Sequence, residues 1–204
     1  MENDKKIYTL YAGVNGVGKS TIYNTIYPSS ERNNVNSDEI LVLNGGDWRN
    51  EQDQIKAGRE AVKKIAYYIE QGISFQQETT LAGHTILKTI KSAKEHGFTV
   101  EMFYIGLDNV ELAIERVKNR VLHGGHGISE ELIRKRYNAS LAMLSKTIPL
   151  CDSAAFYDNS DELIKVARYK NGKWVIYTKE YSWFNKAFSS MQGNGDINII
   201  KGNQ

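Results

Sequence analysis

A three-layer α/β fold is predicted by this sequence, with a mainly parallel sheet of five strands between two sets of helices. Three observations carry that prediction. Apolar, strand-like runs alternate with segments of helical periodicity along most of the chain. A glycine-rich loop joins the first strand to the first helix. Near the C-terminal end the alternation gives way to a hairpin signal, Asn171-Gly172 between two apolar-rich stretches.

Taken in order, residues 7–12 read as the first strand. The loop Gly13-Val14-Asn15-Gly16-Val17-Gly18-Lys19-Ser20 follows, and a helix runs from Ser20 to about Ile26. Pro28-Ser29-Ser30-Glu31 is a turn, and Asn33-Asn34-Val35-Asn36 is a short strand ending at Ser37-Asp38-Glu39. From 54 to about 71, Ile55, Val62, Ile65, Ala66 and Ile69 recur at helical spacing, and Gly72 closes the helix. Residues 73–77 form a brief strand that delivers Glu78-Thr79-Thr80 to a loop. A helix over about 84–96 stops at Gly97, before the clearest strand of the chain at 99–107. Asp108 to Glu111 fits a capping box, opening a helix whose inward stripe is Val110, Ile114, Val117 and Val121. His123-Gly124-Gly125-His126-Gly127 breaks that helix. Another runs from Ser129 to about Leu144, with Ile133, Tyr137, Leu141 and Leu144 inward. A strand at 154–157 and the hairpin pair 164–169 and 173–177 complete the elements. Residues 1–190 read as one domain, with a helical lid at about 116–145 and the hairpin within about 162–179; the polar stretch 191–204 reads as a flexible tail.

Composition narrows the class. At 204 residues, 41% hydrophobic and 25% charged, the chain can bury a proper core as a soluble domain. A net charge of +2 is too small to argue for nucleic acid or an anionic membrane as partner. The charged start Met-Glu-Asn-Asp-Lys-Lys shows no signal peptide, and no apolar run is of membrane-spanning length. A single cysteine, Cys151, excludes an intramolecular disulfide and reads as a small, partly buried apolar residue. The expectation is a cytoplasmic protein.

The loop at 13–20 satisfies G-x-x-x-x-G-K-[ST], in the strand–loop–helix setting that this pattern requires. Glycines let successive backbone N–H groups converge on phosphate oxygens, and the helix N-terminus adds partial positive charge. The nucleotide-binding set is therefore Gly13, Asn15, Gly16, Val17, Gly18, Lys19, Ser20 and Thr21. Lys19 would reach the β- and γ-phosphates of ATP, and the Ser20 hydroxyl would bind Mg²⁺. In parallel sheets function collects at the C-terminal strand ends, which here deliver Asp38, then Glu78 and Thr80, then Asp108. Asp38 is the candidate base for an acceptor hydroxyl. Asp108 reads as a helix cap, with a carboxylate of the second phosphate-site motif as its functional alternative. Glu78 and Thr80 suit a hydroxyl-rich substrate. Cations gather at Arg116, Arg120, Arg134 and Arg136 around the glycine break, the arrangement of a lid that closes arginines over a γ-phosphate, with His126 as a lid or hinge residue. Arg134 and Arg136 fall on opposite flanks of their helix, so one of them points inward. Neither a guanine-specific Asn-Lys-x-Asp nor a Leu-Ser-Gly-Gly-Gln signature occurs. From the residues alone, a kinase, a hydrolysing nucleotide switch and an idle binding module all remain open.

The set 13–21, Asn36-Ser37-Asp38, Ala57-Gly58-Arg59, 75–83 (FQQETTLAG) and 116–137 (RVKNRVLHGGHGISEELIRKRY) resembles the zeta toxin-like P-loop kinases, in particular their stand-alone bacterial branch. The similarity runs in order from about residue 7 to 158. It implies a P-loop kinase fold and Mg²⁺-dependent phosphorylation of a metabolite hydroxyl by ATP, with UDP-activated amino sugars as the acceptor class and an antitoxin protein as partner. By the same resemblance Asp38 and Lys19 are catalytic, Arg120 and Arg136 clamp the phosphate, and Arg59, Glu78 and Thr80 hold the substrate. Ala82 stands where the classical toxins carry a basic residue.

Overall fold

The computed structural model describes residues 5–26, 33–192 and 198–201; the turn expected at 28–31 lies outside them. Its elements are β1 (Ile7–Ala12), α1 (Lys19–Ile26), β2 (Asn33–Val35), α2 (Ser37–Leu43), α3 (Glu51–Gln71), β3 (Phe75–Thr79), α4 (Thr85–Glu95) and β4 (Thr99–Gly106). Then come α5 (Val110–Leu122), α6 (Glu130–Thr147), β5 (Ser153–Asp158), β6 (Ile164–Lys170), β7 (Lys173–Ile176), α7 (Ser182–Gln192) and β8 (Asn198–Lys201). All eight strands belong to one sheet, ordered β2-β3-β1-β4-β5-β6-β7-β8.

The first five strands of that order pair in parallel, which is the expected five-stranded sheet. The hairpin β6–β7 is antiparallel and extends the same sheet beyond β5. Strand β1 is buried on both faces, as the middle of a helix-covered parallel sheet must be. Alternation sends Tyr8, Leu10 and Ala12 into a core shared with α3, α4 and α7. Tyr11 points the other way, toward Ile22 of α1 and Ala113, Ile114 and Val117 of α5.

The structure corrects several expectations. Asn36 caps a helix that the sequence reading did not assign: its Oδ1 accepts from the Asp38 N–H at 2.9 Å, so Asp38 sits in the first turn of α2. The buried stripe of α3 is Ala57, Ala61, Ile65, Tyr68 and Ile69. Ile55 and Val62 are about half exposed, because two alanines let the helix approach with a different face. Strand β3 continues through Thr79, so Glu78 stands on a strand rather than in a loop. The cap of α5 is Asn109, whose extended backbone lets its Oδ1 accept from Leu112 N at 3.0 Å. Asp108 instead accepts from the Ser182 N–H and hydroxyl at the start of α7. Residues 191–204 are not all tail: α7 reaches Gln192, and residues 198–201 pair in parallel with β7. Two adjacent β-branched residues, Ile199 and Ile200, suit that edge strand.

Candidate active site

The glycine loop leaves β1 at the C-terminal edge of the sheet. Gly13 N–H donates to the Thr79 carbonyl at 3.2 Å, tying the loop to the end of β3. Gly16 has φ +87°, and a Cβ there would stand 2.4 Å from the Ala113 carbonyl oxygen, so the loop can lie on α5 only with glycine at this position. Val17 O accepts from Asn159 Nδ2 at 2.8 Å, which holds the far side of the loop to the end of β5. Ser20 and Thr21 are exposed in the first turn of α1.

Lys19 is buried. Its Nζ donates to the Gly13 and Val14 carbonyls at 2.8 and 3.1 Å and lies 3.5 Å from Glu78 Oε1. Burial lowers its pKa below the ordinary lysine value, against the opposing pull of Glu78 and Asp38. Glu78 also accepts from Asn36 Nδ2 at 3.0 Å, so β2 and β3 brace the carboxylate that faces the lysine.

Asp38 is half-buried. Burial pushes its carboxyl up, but the His126 hydrogen bond, with the charges of His126, Lys19 and Arg120, outweighs that and holds it below the usual aspartate value. The bond runs from His126 Nε2 to Asp38 Oδ2 at 2.8 Å. In turn the His126 carbonyl accepts from Arg120 Nε at 2.8 Å. Arg120 Nη2 is buried and has no hydrogen-bond partner among the described residues. Arg136 donates from Nη1 to Asn15 Oδ1 at 3.0 Å, reaching from α6 to the glycine loop. Tyr137 beside it donates to the Leu107 carbonyl at 2.7 Å and so fastens α6 to the end of β4; burial pushes its hydroxyl pKa up to about 12.

These groups surround a cavity of about 390 Å³, whose lining includes Asn15, Lys19, Asp38, Glu78, Thr80 and Arg136. Helix α3 lines it with Gln54, Gly58, Ala61, Val62 and Ile65. Arg59 does not enter it. Successive helical residues are turned by about 100°, and with Gly58 facing the cavity Arg59 falls on the outer surface beside Lys56 and Lys63. Arg116 is also elsewhere: it donates to the Asn159 and Ser160 carbonyls at 2.8 and 3.0 Å, a strap between α5 and the chain after β5. Exposed Arg134 forms a two-pronged ion pair with Glu111, so of the two α6 arginines Arg136 is the inward one. Sequence reasoning took His126 only as a lid or hinge residue. Its signal was there, an imidazole in a glycine break between two basic helices, but nothing local announced its partner 88 residues away.

A model of the zeta toxin family matches residues 1–178. The chain belongs to the zeta toxin family. It is an ATP-dependent kinase of P-loop fold. Among relatives of this zeta toxin-family chain, an uncharacterized protein of Haemophilus influenzae is 39% identical over 128 residues, 62% of this chain and 89% of its own. Among solved structures, one from the PezAT toxin–antitoxin system of Streptococcus pneumoniae matches with a TM-score of 0.62 at 16% identity, covering 96% of this chain and 82% of that one. AvrRxo1-ORF1:ORF2 with ATP matches at 0.67 and 16% identity, covering 96% and 67%. At these identities the structural likeness speaks for the fold.

One end of the cavity is cationic, with Lys19 and Arg136 beside Asn15 of the glycine loop, as a phosphate chain requires. The lining also carries the carboxylates of Asp38 and Glu78 beside that lysine, with amides and threonine hydroxyls suited to a hydroxyl-bearing partner. Among the described residues no helix is long and apolar enough to cross a membrane.

Proposed function

We propose that this zeta toxin-family kinase transfers the γ-phosphoryl group of ATP to a hydroxyl of a small metabolite, with Asp38 as the group that receives the hydroxyl's proton. The observation that carries this reading is the convergence of Lys19, Asp38, Glu78 and Arg136 on one cavity at the C-terminal edge of the parallel sheet. A hydrolysing switch needs no such enclosed acceptor wall.

Each residue has a task. The glycine loop and Lys19 hold the β- and γ-phosphates, for which Lys19 exchanges its bonds to Gly13 and Val14. Arg120 and Arg136 offset charge on the transferring group. Asp38 is ionised at neutral pH, so it orients the acceptor hydroxyl and takes its proton as the new bond forms. Glu78 and Thr80 hold the acceptor.

The exposed Ser20 hydroxyl, a hard oxygen donor at the start of α1, fits Mg²⁺, an ion that keeps several waters and binds with substrate phosphates. Held there, Mg²⁺ would supply neutralisation of nucleotide phosphate charge.

The acceptor class that the family resemblance brings is a UDP-activated amino sugar. The cavity's described lysine and arginine, Lys19 and Arg136, both stand at the glycine-loop end. The rest of the lining offers neutral amides and hydroxyls from Gln54, Gln77, Thr85 and Thr89, with Ala82 among them, and among the described residues no further lysine or arginine for a diphosphate. Uncharged polyols and nucleosides therefore belong in the same assay as the nucleotide sugars. The test is transfer from γ-labelled ATP with Mg²⁺ to a panel of UDP-sugars, nucleosides and polyols, run beside Asp38→Ala. A labelled organic product that vanishes in the variant supports the reading. Label appearing only as free phosphate, equally in both proteins, would replace it with an ATPase.

A further inference from the structure

Asp38 has two carboxylate oxygens, and one is engaged by the lid. Oδ2 accepts from His126 Nε2 at 2.8 Å, while the backbone N–H of Asp38 is fixed by Asn36 Oδ1 at 2.9 Å. An ionised carboxylate can only accept, so Nε2 carries the hydrogen. His126 is itself held at two points. Its carbonyl accepts from Arg120 Nε, and the next residue, Gly127, is buried with the Trp48 ring over its α-carbon.

We propose that His126 is a positioning residue for Asp38: it holds Oδ2 and aims the other oxygen into the cavity. The proposal rests on the reading of Asp38 as the proton acceptor. In the transfer step the acceptor oxygen bonds to Pγ as the bond from Pγ to the ADP oxygen breaks. The hydroxyl proton passes to Asp38 Oδ1, and His126 keeps its Nε2 hydrogen on Oδ2 throughout.

The location of His126 gives this contact a meaning that a structural bond would lack. It lies in the loop joining α5 to α6, the helices that carry Arg120 and Arg136. Through Nε2 and the carbonyl of one residue, that loop aligns both the base and an arginine of the phosphate site. Base and charge stabiliser are thus set together.

The charged groups around the pair are Lys19 from α1, Glu39 beside Asp38 on α2, Glu78 from β3, Arg120 from α5 and Arg136 from α6. Lys19, Arg120 and Arg136 favour the ionised carboxylate; Glu39 and Glu78 oppose it.

The deciding experiment follows the Asp38 side-chain carboxyl by carbon NMR as the full chain is titrated with acid, in the native protein, His126→Ala and His126→Asn. The expected result is a midpoint about one pH unit higher in His126→Ala, the scale of losing one hydrogen-bonded partner. His126→Asn, which keeps a donor amide and guards against loss of folding, should recover part of that shift. A midpoint that is the same in all three proteins overturns the proposal. A kinetic arm uses MgATP with water as acceptor. There His126→Ala should slow turnover about tenfold, leave the KM for ATP within about twofold, and move the acid limb upward with the NMR midpoint. Slower turnover with an unmoved acid limb would make His126 merely structural and overturn the proposal. If the midpoint follows His126 yet Asp38→Ala turns over normally, the base assignment fails while the pair stands.

Discussion

Lys19 Nζ lies 3.5 Å from Glu78 Oε1 while it donates to the carbonyls of Gly13 and Val14. The lysine is thus wrapped by its own loop and countered by the neighbouring strand. To reach a phosphate it must give up the two carbonyls and share its charge with an anion that Glu78 repels.

That relationship predicts opposite effects on the two substrates when Glu78 becomes Gln. The neutral amide still fills the site between Lys19 and Asn36 but no longer competes with phosphate. MgATP should bind as tightly as to the native protein or tighter, read by calorimetry. Acceptor KM should rise about tenfold, the cost of one charge-assisted hydrogen bond. Weaker binding of both substrates would mean that Glu78 only organises the glycine loop.

The four lid arginines separate by partner. Arg120 holds the His126 carbonyl, with its Nη2 buried and unpartnered among the described residues, and Arg136 reaches Asn15 of the glycine loop. Arg120→Ala should lower kcat about a thousandfold, the scale of an arginine at a transferring phosphoryl group. Arg134→Ala removes a solvent-screened, exposed pair with Glu111 and should leave kcat within about twofold. Arg59→Ala, on the outer face of α3, should behave like Arg134→Ala; a large rise in acceptor KM would return Arg59 to the site.

Asp38 and Asp152 together predict the acid limit of stability. Burial raises the Asp152 carboxyl, but Lys94 and the Val100 N–H bonded to it at 2.8 Å hold it below the ordinary value. Both groups thus have folded values below the unfolded one of about 3.9. Their contribution is complete above the unfolded value and is lost as pH falls through the folded values. Urea midpoints should therefore be flat above about pH 5 and drop below about pH 4. Asp152→Asn should give a lower plateau with a shallower acid decline. An unchanged slope would show that neither the Lys94 pair nor the Val100 bond is kept in solution.

How much of this was legible follows from particular residues. The placement of the glycine loop, Lys19 and Asp38 could be read because its signals are local: a loop between strand and helix, a carboxylate just past a strand end. Helix α7 had its own pattern, with Trp183, Phe184, Ala187, Phe188 and Met191 buried at helical spacing, and could have been read from it. Helix α2 could not. Its apolar run Ile40-Leu41-Val42-Leu43 has no helical period, and Val42 and Leu43 are 62% and 84% exposed. Arg59 was misplaced by one residue, because the face that α3 turns to the cavity depends on which residues pack the sheet. The contact of His126 with Asp38 was beyond sequence logic in another way. It depends on a loop folding back across the cavity, a long-range contact with no local signature.

Gly127 tests whether that loop must close as a unit. A Cβ on Gly127 would stand 2.7 Å from the Trp48 ring and 2.8 Å from a methyl of Val121, both inside any normal contact. Gly127→Val would therefore push the loop away from α2 and α3, and with it the imidazole from Asp38. Because the glycine loop and Lys19 are untouched, MgATP affinity should hold within about threefold. Turnover should fall at least about tenfold, and the Asp38 midpoint should rise as in His126→Ala. Trp48→Ala in the same chain removes the obstructing ring, so the double variant should recover part of the lost activity if the clash is the cause. Failure of the second substitution to restore either the midpoint or the rate would mean that the fit against Val121 or the loop's own backbone, rather than Trp48, demands the glycine.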